Sequence, residues 1–387
     1  MKHYDVLVIG GGIHGVGVAQ AAAAAGYSVL LLEKTGLATG TSSRSSKLIH
    51  GGLRYLESGR LHLVRESLRE RSILLRIAPE LVRLVPFFLP IYPTTQRRPW
   101  KIALGLSLYA VLGGLSGDNR FTRLPRSQWG SLDGLDTRGL QHVFRYYDGQ
   151  TDDVTLTRAV MRSAQSLGAE LCLPATFVSA RRTDTAWEID YLDNAKPTSC
   201  TATVIANAAG AWANEVLQQI APRPPLLPIE LVQGTHIVLD APTRAGVYYV
   251  EAPDGRAVFV MPWRNKTLVG TTETKVDGDP ARVAPQSQEI AYLENLYSKY
   301  FPGRAPAIVE SFAGVRVLPG GNDSMFRRSR ETIFQSNTAQ RPTLVTVYGG
   351  KLTSYRSSAA ETLKLLRPAL PERNSKLDTA TLPLSAV

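Results

Sequence analysis

The chain has 387 residues, and its 44% apolar and 20% charged content is ordinary for a globular protein and excludes extensive disorder. Its formal net charge of +11 favours an anionic partner, such as a phosphorylated metabolite, an anionic membrane or nucleic acid. The wide spacing of Cys172 and Cys200 excludes a CxxC redox pair and a cysteine-based zinc cluster, and the longest apolar run, residues 102–115, is too short to span a bilayer.

The first predicted elements are a strand, a glycine-rich turn, a helix and a second strand. Residues 4–9 form an apolar run typical of a buried strand, and Gly10-Gly11-Gly12-Ile13-His14-Gly15 completes the pattern G-x-G-x-x-G directly after it. An alanine-rich stretch then predicts a helix that ends at Gly26, and residues 28–32 predict a strand closed by Glu33. This order of elements is typical of a dinucleotide-binding unit.

Each part of the turn has a mechanical role in binding a dinucleotide. Gly10 allows the tight turn, Gly12 lets the backbone approach a pyrophosphate, and Gly15 lets the helix pack closely on the strand. Glu33 can accept hydrogen bonds from both ribose hydroxyls, and its charge disfavours the 2′-phosphate of NADP. The motif does not separate FAD from NAD, and we expect His14 to lie beside the pyrophosphate or at the surface.

A stretch rich in serine and glycine, residues 39–57, follows the second strand. Taken alone, it is either a flexible linker or a segment whose hydroxyl groups and small residues wrap a second phosphate and a ring system. The apolar periodicity of residues 61–77 predicts a helix directly after it.

Two further groups of strands are predicted, separated by a proline-rich crossover at residues 222–228. The predicted strands are residues 176–181, 187–191 and 200–205 before the crossover, and 231–239, 247–251, 257–261 and 267–271 after it. Residues 344–348 and Gly349-Gly350-Lys351 then predict a strand, a glycine turn and a helix once more. The dinucleotide domain is therefore expected to be discontinuous, with a sheet-built substrate domain inserted.

Several blocks of residues along the chain carry a family resemblance. The blocks are Ser45-Ser46-Lys47-Leu48-Ile49-His50-Gly51-Gly52-Leu53-Arg54-Tyr55-Leu56-Glu57, Asn207-Ala208-Ala209-Gly210-Ala211-Trp212, Gly234-Thr235-His236-Ile237-Val238, Met261-Pro262-Trp263, Gly270-Thr271-Thr272-Glu273, Gly314-Val315-Arg316-Val317-Leu318 and Gly349-Gly350-Lys351-Leu352-Thr353-Ser354-Tyr355-Arg356. On these blocks the sequence resembles the FAD-dependent glycerol-3-phosphate dehydrogenases, the quinone-linked enzymes of the D-amino-acid-oxidase-like flavoprotein superfamily.

The resemblance implies an α/β fold in which a discontinuous Rossmann-like FAD-binding domain carries an inserted, mostly antiparallel-sheet (α+β) substrate domain. We expect the FAD-binding domain at residues 1–85, 150–222 and 312–370, the substrate domain at 86–149 and 223–311, and a tail at 371–387. Members of the family usually continue into a further helical domain after the block that begins Gly349-Gly350-Lys351, so we expect this chain to be a short form.

The resemblance also implies which residues hold FAD. Together with the turn and Glu33, the implied cofactor residues are Thr41, Ser42, Ser43, Ser46, Lys47, Leu48, His50, Gly51, Gly52, Ala208, Gly210, Trp212, Gly350, Lys351, Leu352 and Thr353.

The implied reaction is the oxidation of sn-glycerol 3-phosphate to dihydroxyacetone phosphate by hydride transfer to FAD, with quinone as the electron acceptor. Arginine suits the phosphate because its planar guanidinium binds oxyanions in two-pronged fashion, and Arg54, Arg316 and Arg330 stand at family motif positions.

Further residues are assigned to the reaction by motif position. His236 is the best candidate for the general base because a histidine near its ordinary pKa accepts protons at neutral pH, and Arg316 is a rival for polarising the substrate hydroxyl. Lys351 could stabilise negative charge on the reduced flavin. Tyr55 and Thr272 are implied as additional substrate contacts.

Several alternatives stay open at this point. One is an enzyme of the same fold acting on another 2-hydroxy acid or an amino acid, and others are a flavin-dependent nucleic-acid-modifying protein and a non-catalytic FAD-stabilised scaffold. Histidine spacing predicts no metal, and nucleic acid is not expected as a partner. We expect a cytoplasmic protein. Residues 96–115 have the composition of an interfacial helix, so this segment could dock the protein peripherally on the inner face of the cytoplasmic membrane.

Overall fold

The computed structural model describes residues 1–57, 59–114, 117–320, 331–374 and 377–386. These residues form two large sheets with helices packed on them. The strands are β1 (Lys2–Ile9), β2 (Val29–Leu32), β3 (Leu48–Ile49), β4 (Val82–Ile91), β5 (Thr122–Arg123), β6 (His142–Thr151), β7 (Glu170–Cys172), β8 (Ala175–Arg182), β9 (Trp187–Asp193), β10 (Lys196–Asn207), β11 (Ile220–Ala221), β12 (Ile229–Leu239), β13 (Val247–Glu251), β14 (Ala257–Trp263), β15 (Lys266–Gly270), β16 (Thr274–Val276), β17 (Ile308–Pro319), β18 (Ile333–Ser336) and β19 (Leu344–Tyr348).

The α-helices are α1 (Ile13–Ala24), α2 (Leu61–Ile77), α3 (Pro99–Leu112), α4 (Asp153–Ser166), α5 (Ala213–Gln218), α6 (Ser287–Tyr300) and α7 (Tyr355–Leu366). Short 3₁₀ turns lie between them, and those at Thr41–Ser43 and Leu53–Leu56 are part of the stretch rich in serine and glycine. Among the residues described, none of the helices combines the length and apolar character needed to cross a bilayer.

The first sheet has a parallel centre in which β7, β2, β1, β10 and β19 lie side by side, and β8 and β9 extend it as antiparallel neighbours. The central strand β1 is apolar on both faces: Val6 and Val8 join the core beneath α1, α4 and α7, while Leu7 joins the core on the other face. Parallel strands buried on both faces are expected to be continuously apolar, which is the pattern of this segment.

The second sheet is mostly antiparallel. Its order is β16, β12, β15, β14, β13, β4, β6 and β3, with β17 paired to β12 along nearly its whole length. Helices α2 and α3 lie over one core of this sheet and α6 over another. Since β3 is part of the stretch between β2 and α2, the first and second sheets are joined through that stretch.

The predicted elements are largely confirmed, with small shifts at their ends. The helix over 61–77 and the strand over 247–251 have the expected bounds, because their apolar spacing matches the period of each structure. The last helix differs: it begins at Tyr355 rather than directly after Gly350, since residues 349 and 350 have positive φ and residues 351–354 form a turn. The boundary expected between the substrate domain and the FAD-binding domain, at residue 312, falls within β17. The whole of β17 nevertheless belongs to the second sheet.

Candidate active site

The glycine-rich turn lies at the carboxyl end of β1, where its backbone geometry excludes larger residues. Gly10 has a φ of +107°, and a Cβ at Gly15 would collide with the carbonyl oxygen of Gly10. Gly12 is the N-cap of α1 and has no side chain to cap the helix. The positive end of the α1 dipole is therefore available to a phosphate, together with the Ser42 hydroxyl, which accepts from the Ile13 N–H at 2.9 Å.

Glu33 lies beside this turn, at the end of β2. Its Oε2 accepts a hydrogen bond from the Gly11 N–H at 2.7 Å, and its Oε1 accepts from the N–H groups of Thr35 and Gly36 at 2.8 and 3.2 Å. These bonds fix a half-buried carboxylate next to the glycine turn. Its assignment to the ribose hydroxyls stays a prediction, and the position fits that role.

Residues 41–52, which we call the cofactor segment, connect the glycine turn to the second sheet. Ser42 Oγ accepts a hydrogen bond from the Ile13 N–H at 2.9 Å, at the start of α1. Thr41 Oγ1 donates to the carbonyl oxygen of Val315 at 2.6 Å. Ser46 Oγ lies 3.0 Å from His236 Nε2. The segment therefore places its hydroxyl groups between the N-terminus of α1 and the strands β12 and β17.

Lys47 anchors the cofactor segment from within the protein. Its buried ammonium lies 2.7 and 2.8 Å from the two carboxylate oxygens of Asp153 and also contacts the carbonyl oxygen of Ser43. Asp153 additionally accepts hydrogen bonds from the N–H and hydroxyl of Ser45. Sequence analysis missed Asp153, the acidic residue that follows Asp152, although Asp152 as N-cap of α4 is a recognisable helix-start signal. The Lys47 side chain thus orders this segment by pairing with Asp153.

Tyr55, which follows the cofactor segment, lies against Lys351. Gly52 has a φ of +76°, and a Cβ there would collide with the Tyr55 ring. Lys351 Nζ lies 3.8 Å from the centroid of that ring, a cation–π geometry. The N–H of His50 donates to Thr353 Oγ1 at 3.1 Å, which ties the cofactor segment to the turn before α7.

A buried network that sequence analysis missed lies beneath Gly51. Tyr109 of α3 accepts a hydrogen bond from the Gly51 N–H at 2.8 Å and donates to Asp148 at 2.6 Å. Asp148 is also paired with the buried Arg71 of α2, which in turn contacts Asn119. Burial raises the pKa of the Asp148 carboxyl despite the nearby Arg71. No sequence signal identifies Tyr109, because it lies within an apolar helix.

The remaining cofactor residues lie at the ends of β10 and β19. A Cβ at Gly10 would lie 2.7 Å from the carbonyl oxygen of Ala208, so the turn after β10 is packed against the glycine turn. Gly210 has a φ of +59°, and Trp212 contacts Lys34. A Cβ at Gly350 would collide with His14, whose pKa is lowered to about 4 by burial. Leu48 and Leu352 contribute apolar contacts nearby.

His236 and Arg316 lie on one face of the second sheet, toward the cofactor segment. Phe312 is directly opposite His236 in the register, and its ring stacks on the imidazole with centroids 5.0 Å apart. Because residues on one strand alternate between faces, Arg316 shares the face of Phe312. The Arg316 Nη1 donates to Glu273 Oε1 at 2.9 Å.

The electrostatics of His236 differ from the sequence-based expectation. Burial, then the positive charges of Arg316 and Lys47, lower the pKa of His236 to about 3. Its Nδ1 is buried, and a hydrogen bond between the imidazole and the Gly234 backbone offsets only part of the lowering. The reason for choosing His236 as general base, an ordinary histidine pKa, therefore does not hold, and the residue stays a neutral imidazole at physiological pH.

The structure corrects the prediction for Thr272. Its hydroxyl donates to Glu289 at 2.7 Å and accepts from the Thr235 N–H at 2.9 Å. This side chain therefore points to the face of the second sheet that is remote from His236. Arg54 lies half-buried in the turn after the cofactor segment, and Arg330 lies outside the described residues.

A parallel sheet with a glycine turn at the start of α1, facing an antiparallel sheet across a hydroxyl-lined segment, is the arrangement of a two-sheet dinucleotide-binding protein. Residues 5–356 match the family model described as FAD dependent oxidoreductase, and the chain belongs to this family. The residues present fit FAD, because Gly10 and Gly15 keep the turn at the start of α1 tight, Gly12 places no side chain there, and the Glu33 carboxylate lies beside the turn.

Comparison with known proteins refines this class. The chain is 39% identical over 375 residues to a glycerol-3-phosphate dehydrogenase of Pseudomonas aeruginosa, covering 94% of this chain and 72% of that protein. It is 38% identical over 381 residues to a D-erythritol 1-phosphate dehydrogenase of Brucella abortus, covering 95% and 74%. The FAD complex of a glycerol-3-phosphate dehydrogenase from Bacillus halodurans superposes with a TM-score of 0.77 at 26% identity, covering 99% and 68%. The resemblance and the cofactor predicted from sequence are confirmed.

Proposed function

We propose that this protein oxidises sn-glycerol 3-phosphate at C2 to dihydroxyacetone phosphate. The observation that carries this proposal is the contact between Ser46 and His236, which closes the cofactor segment onto the face of the second sheet that bears Arg316. The similarity to dehydrogenases of phosphorylated polyols supports the substrate class. When bound, FAD supplies a two-electron acceptor for the hydride from C2.

The roles proposed for the chain's own residues rest on the family motifs and, for the described residues, agree with their positions. The guanidinium groups of Arg316 and Arg54 bind and orient the anionic substrate. Arg330, which is not among the residues that the structure describes, is proposed to assist them. His236, as a neutral imidazole, holds the Ser46 hydroxyl beside the proposed substrate site through its Nε2 without adding charge, and Phe312 fixes its ring. Lys351 and Tyr55 together close the opposite side of the site, where a cation favours developing negative charge.

The cofactor assignments are proposed on the same geometric grounds. The start of α1 and Ser42 hold the pyrophosphate, Glu33 holds the ribose, and the cofactor segment with Gly350 and Thr353 surrounds the flavin. The turn after β10 contributes Ala208, Gly210 and Trp212 to the proposed cofactor site.

A longer polyol phosphate is a second candidate substrate. It is favoured by the 38% identity to an enzyme named for D-erythritol 1-phosphate, which equals within one per cent the identity to the glycerol-3-phosphate dehydrogenase. Both substrates carry a phosphate and a neighbouring hydroxyl carbon, so the arginines described above serve either one. The preference for a three-carbon or a four-carbon polyol phosphate therefore has to be determined by experiment.

We further propose that α3 docks on an anionic membrane surface and that the electrons pass to quinone. Trp100, Leu104 and Val111 are 63, 62 and 56% exposed, and their spacing places them along one side of the helix. Exposed Arg98 and Lys101 stand at its beginning, where they suit anionic lipid headgroups. A lipid-soluble acceptor is consistent with such a surface.

The experiment that tests the substrate is an anaerobic titration of the FAD-bound protein with glycerol 3-phosphate, followed by visible flavin absorbance. Stoichiometric bleaching would support the proposal. Bleaching by erythritol 1-phosphate at much lower concentration would favour the second candidate, and bleaching only by other hydroxy acids or amino acids would overturn the polyol-phosphate assignment. A second titration of the reduced protein with a short-chain quinone, compared with oxygen, tests the acceptor.

A further inference from the structure

The face of the second sheet remote from His236 carries a buried carboxylate that the reaction does not use directly. Glu289 lies in the first turn of α6 and is 6% exposed. It accepts hydrogen bonds from the hydroxyls of Thr235, Thr272 and Thr274 at 2.6, 2.7 and 2.8 Å. The side-chain amide of Gln233 and the N–H of Gln286 also donate to it.

This number of donors exceeds what a helix cap needs. Only one of these donors, the Gln286 N–H, belongs to the capping box of α6, whose other bond runs from the Glu289 N–H to the Gln286 side chain. Burial by itself would raise the pKa of Glu289, yet the threonine hydroxyls and the Gln286 N–H hold that pKa below its ordinary value. Glu289 therefore stays ionised, and all three hydroxyls must act as donors to it.

The threonines connect Glu289 to the site through the chain segment that they share with Glu273. Thr272 and Thr274 donate to Glu289 of α6, whereas Glu273 between them contacts Arg316 on the opposite face. There its Oε1 lies 2.9 Å from Arg316 Nη1. Glu289 and Arg316 thus lie on opposite faces of the same sheet and are joined by three consecutive residues.

The groups around Arg316 leave its side chain little room to move. A Cβ at Gly234 would lie 3.0 Å from Arg316 Nη2 and would collide with Thr271 Oγ1. The guanidinium is therefore bordered by the backbone of β12 on one side and by Glu273 on another. A shift of Glu273 would remove one of the contacts that direct the Arg316 guanidinium.

We propose that Glu289 is a positioning residue that, by clamping Thr272 and Thr274, holds Glu273 against Arg316 and so sets the direction of the guanidinium that receives the substrate. This inference rests on the proposed function for the identity of the substrate, and it names a residue that does not touch the substrate itself.

The test compares Glu289→Gln, Thr274→Val and Arg316→Ala with the wild-type holoenzyme in steady-state oxidation of glycerol 3-phosphate with an artificial electron acceptor. Glu294→Gln serves as the matched control, because Glu294 is an exposed glutamate on the same helix. Misdirected catalytic groups cost up to about 100-fold, so Glu289→Gln is expected to lower kcat/KM by roughly 10- to 100-fold, and Thr274→Val by less, with FAD content unchanged.

The double variant separates positioning from general loosening of the fold. In the Arg316→Ala background, Glu289→Gln should cause no further loss of kcat/KM, because the group that it positions is absent. An additive loss, or a change in stability with normal kcat/KM in both Glu289→Gln and Thr274→Val, would overturn the inference.

A crystal structure of the Glu289→Gln holoenzyme supplies a readout independent of activity. The contact between Arg316 and Glu273 is expected to be broken or redirected, and an unchanged contact would overturn the inference. If glycerol 3-phosphate fails to reduce the wild type, the proposed function is lost, and the positioning role is then decided by this structure.

Discussion

Ser46 Oγ and His236 Nε2 lie 3.0 Å apart, and this bond joins the cofactor segment to the centre of β12. It connects residues that are 190 positions apart in the sequence. Since His236 is buried and stacked on Phe312, the bond fixes the imidazole with one ring nitrogen toward the cofactor segment. The contact defines where the two sheets meet around the site.

Buried neutral histidines make the stability of this protein dependent on pH. The pKa of His14 is lowered to about 4 and that of His236 to about 3, whereas an unfolded chain protonates both near 6.5. Below pH 6.5 the unfolded state binds more protons than the folded state, so stability falls as the pH decreases. Each histidine contributes about 2 kcal/mol of this loss between pH 6.5 and 5.

Urea unfolding of the wild type and of His14→Asn at about pH 5 and 7.5 checks this prediction. The difference in unfolding free energy between the two pH values should be smaller in the variant. Equal differences in the two proteins would show that His14 is protonated in the folded state.

Replacing Arg316 is expected to impair the reaction without releasing the cofactor. Arg316→Ala removes the guanidinium on the site face of β17, and loss of one such preorganised donor costs roughly 10²- to 10³-fold. The rate of anaerobic flavin reduction measures the effect, and the flavin absorbance per protein confirms that FAD is retained. Arg316→Lys, which keeps the charge but not the planar fork, should recover only part of the rate. Near-normal reduction by Arg316→Ala would remove this residue from the site.

Glu33 is expected to determine how tightly FAD is retained. Glu33→Ala removes the carboxylate that is held by the N–H groups of Gly11, Thr35 and Gly36, and it removes the proposed ribose acceptor. Because hydrogen bonds to a charged group contribute about 1.5–3 kcal/mol, FAD affinity should fall at least about tenfold. Flavin content after extensive dialysis measures this. Asp184→Ala, in an exposed turn of the same domain, is the control, and equal flavin content in both variants would contradict the ribose assignment.

The buried network beneath Gly51 is expected to contribute strongly to stability. Tyr109→Phe leaves the Gly51 N–H and one oxygen of Asp148 without this hydroxyl, and unsatisfied buried groups cost about 1–3 kcal/mol each. The free energy of unfolding in urea measures the loss. Tyr297→Phe is a matched control, since the Tyr297 hydroxyl is buried without a hydrogen-bond partner among the described residues. A loss of equal size in the two variants would show that the network has no special role.

The exposed side of α3 is expected to control membrane association. Leu104→Asp places a negative charge on this side and removes a leucine whose burial is worth about 1.5–3 kcal/mol, so binding to vesicles that contain anionic lipid should weaken about tenfold or more. Co-sedimentation with vesicles measures binding. The same substitution at Leu377, another exposed leucine outside α3, should leave it intact. Equal binding of both variants would exclude α3 as the docking element.

Much of the local structure could be predicted from the sequence, because short-range patterns determine it. The turn from Gly10 to Gly15 requires residues without a Cβ, and the spacing of apolar residues over α2 matches the helical period. The beginning of α7 was misplaced because the backbone conformations of Gly349 and Gly350 extend the turn beyond the glycines. Such conformations depend on contacts with His14 and β17 that come from other parts of the chain.

Local sequence patterns predict the dinucleotide turn, the two kinds of sheet and the blocks that carry the family resemblance, since each depends on residues close together in the chain. Contacts between distant segments are needed to show that His236 is held neutral, that Thr272 faces away from the site, and that Tyr109 and Glu289 lie in networks behind it. Burial and charge at a position are set by neighbours more than a hundred residues away, such as Lys47 beside His236, and no local pattern records them.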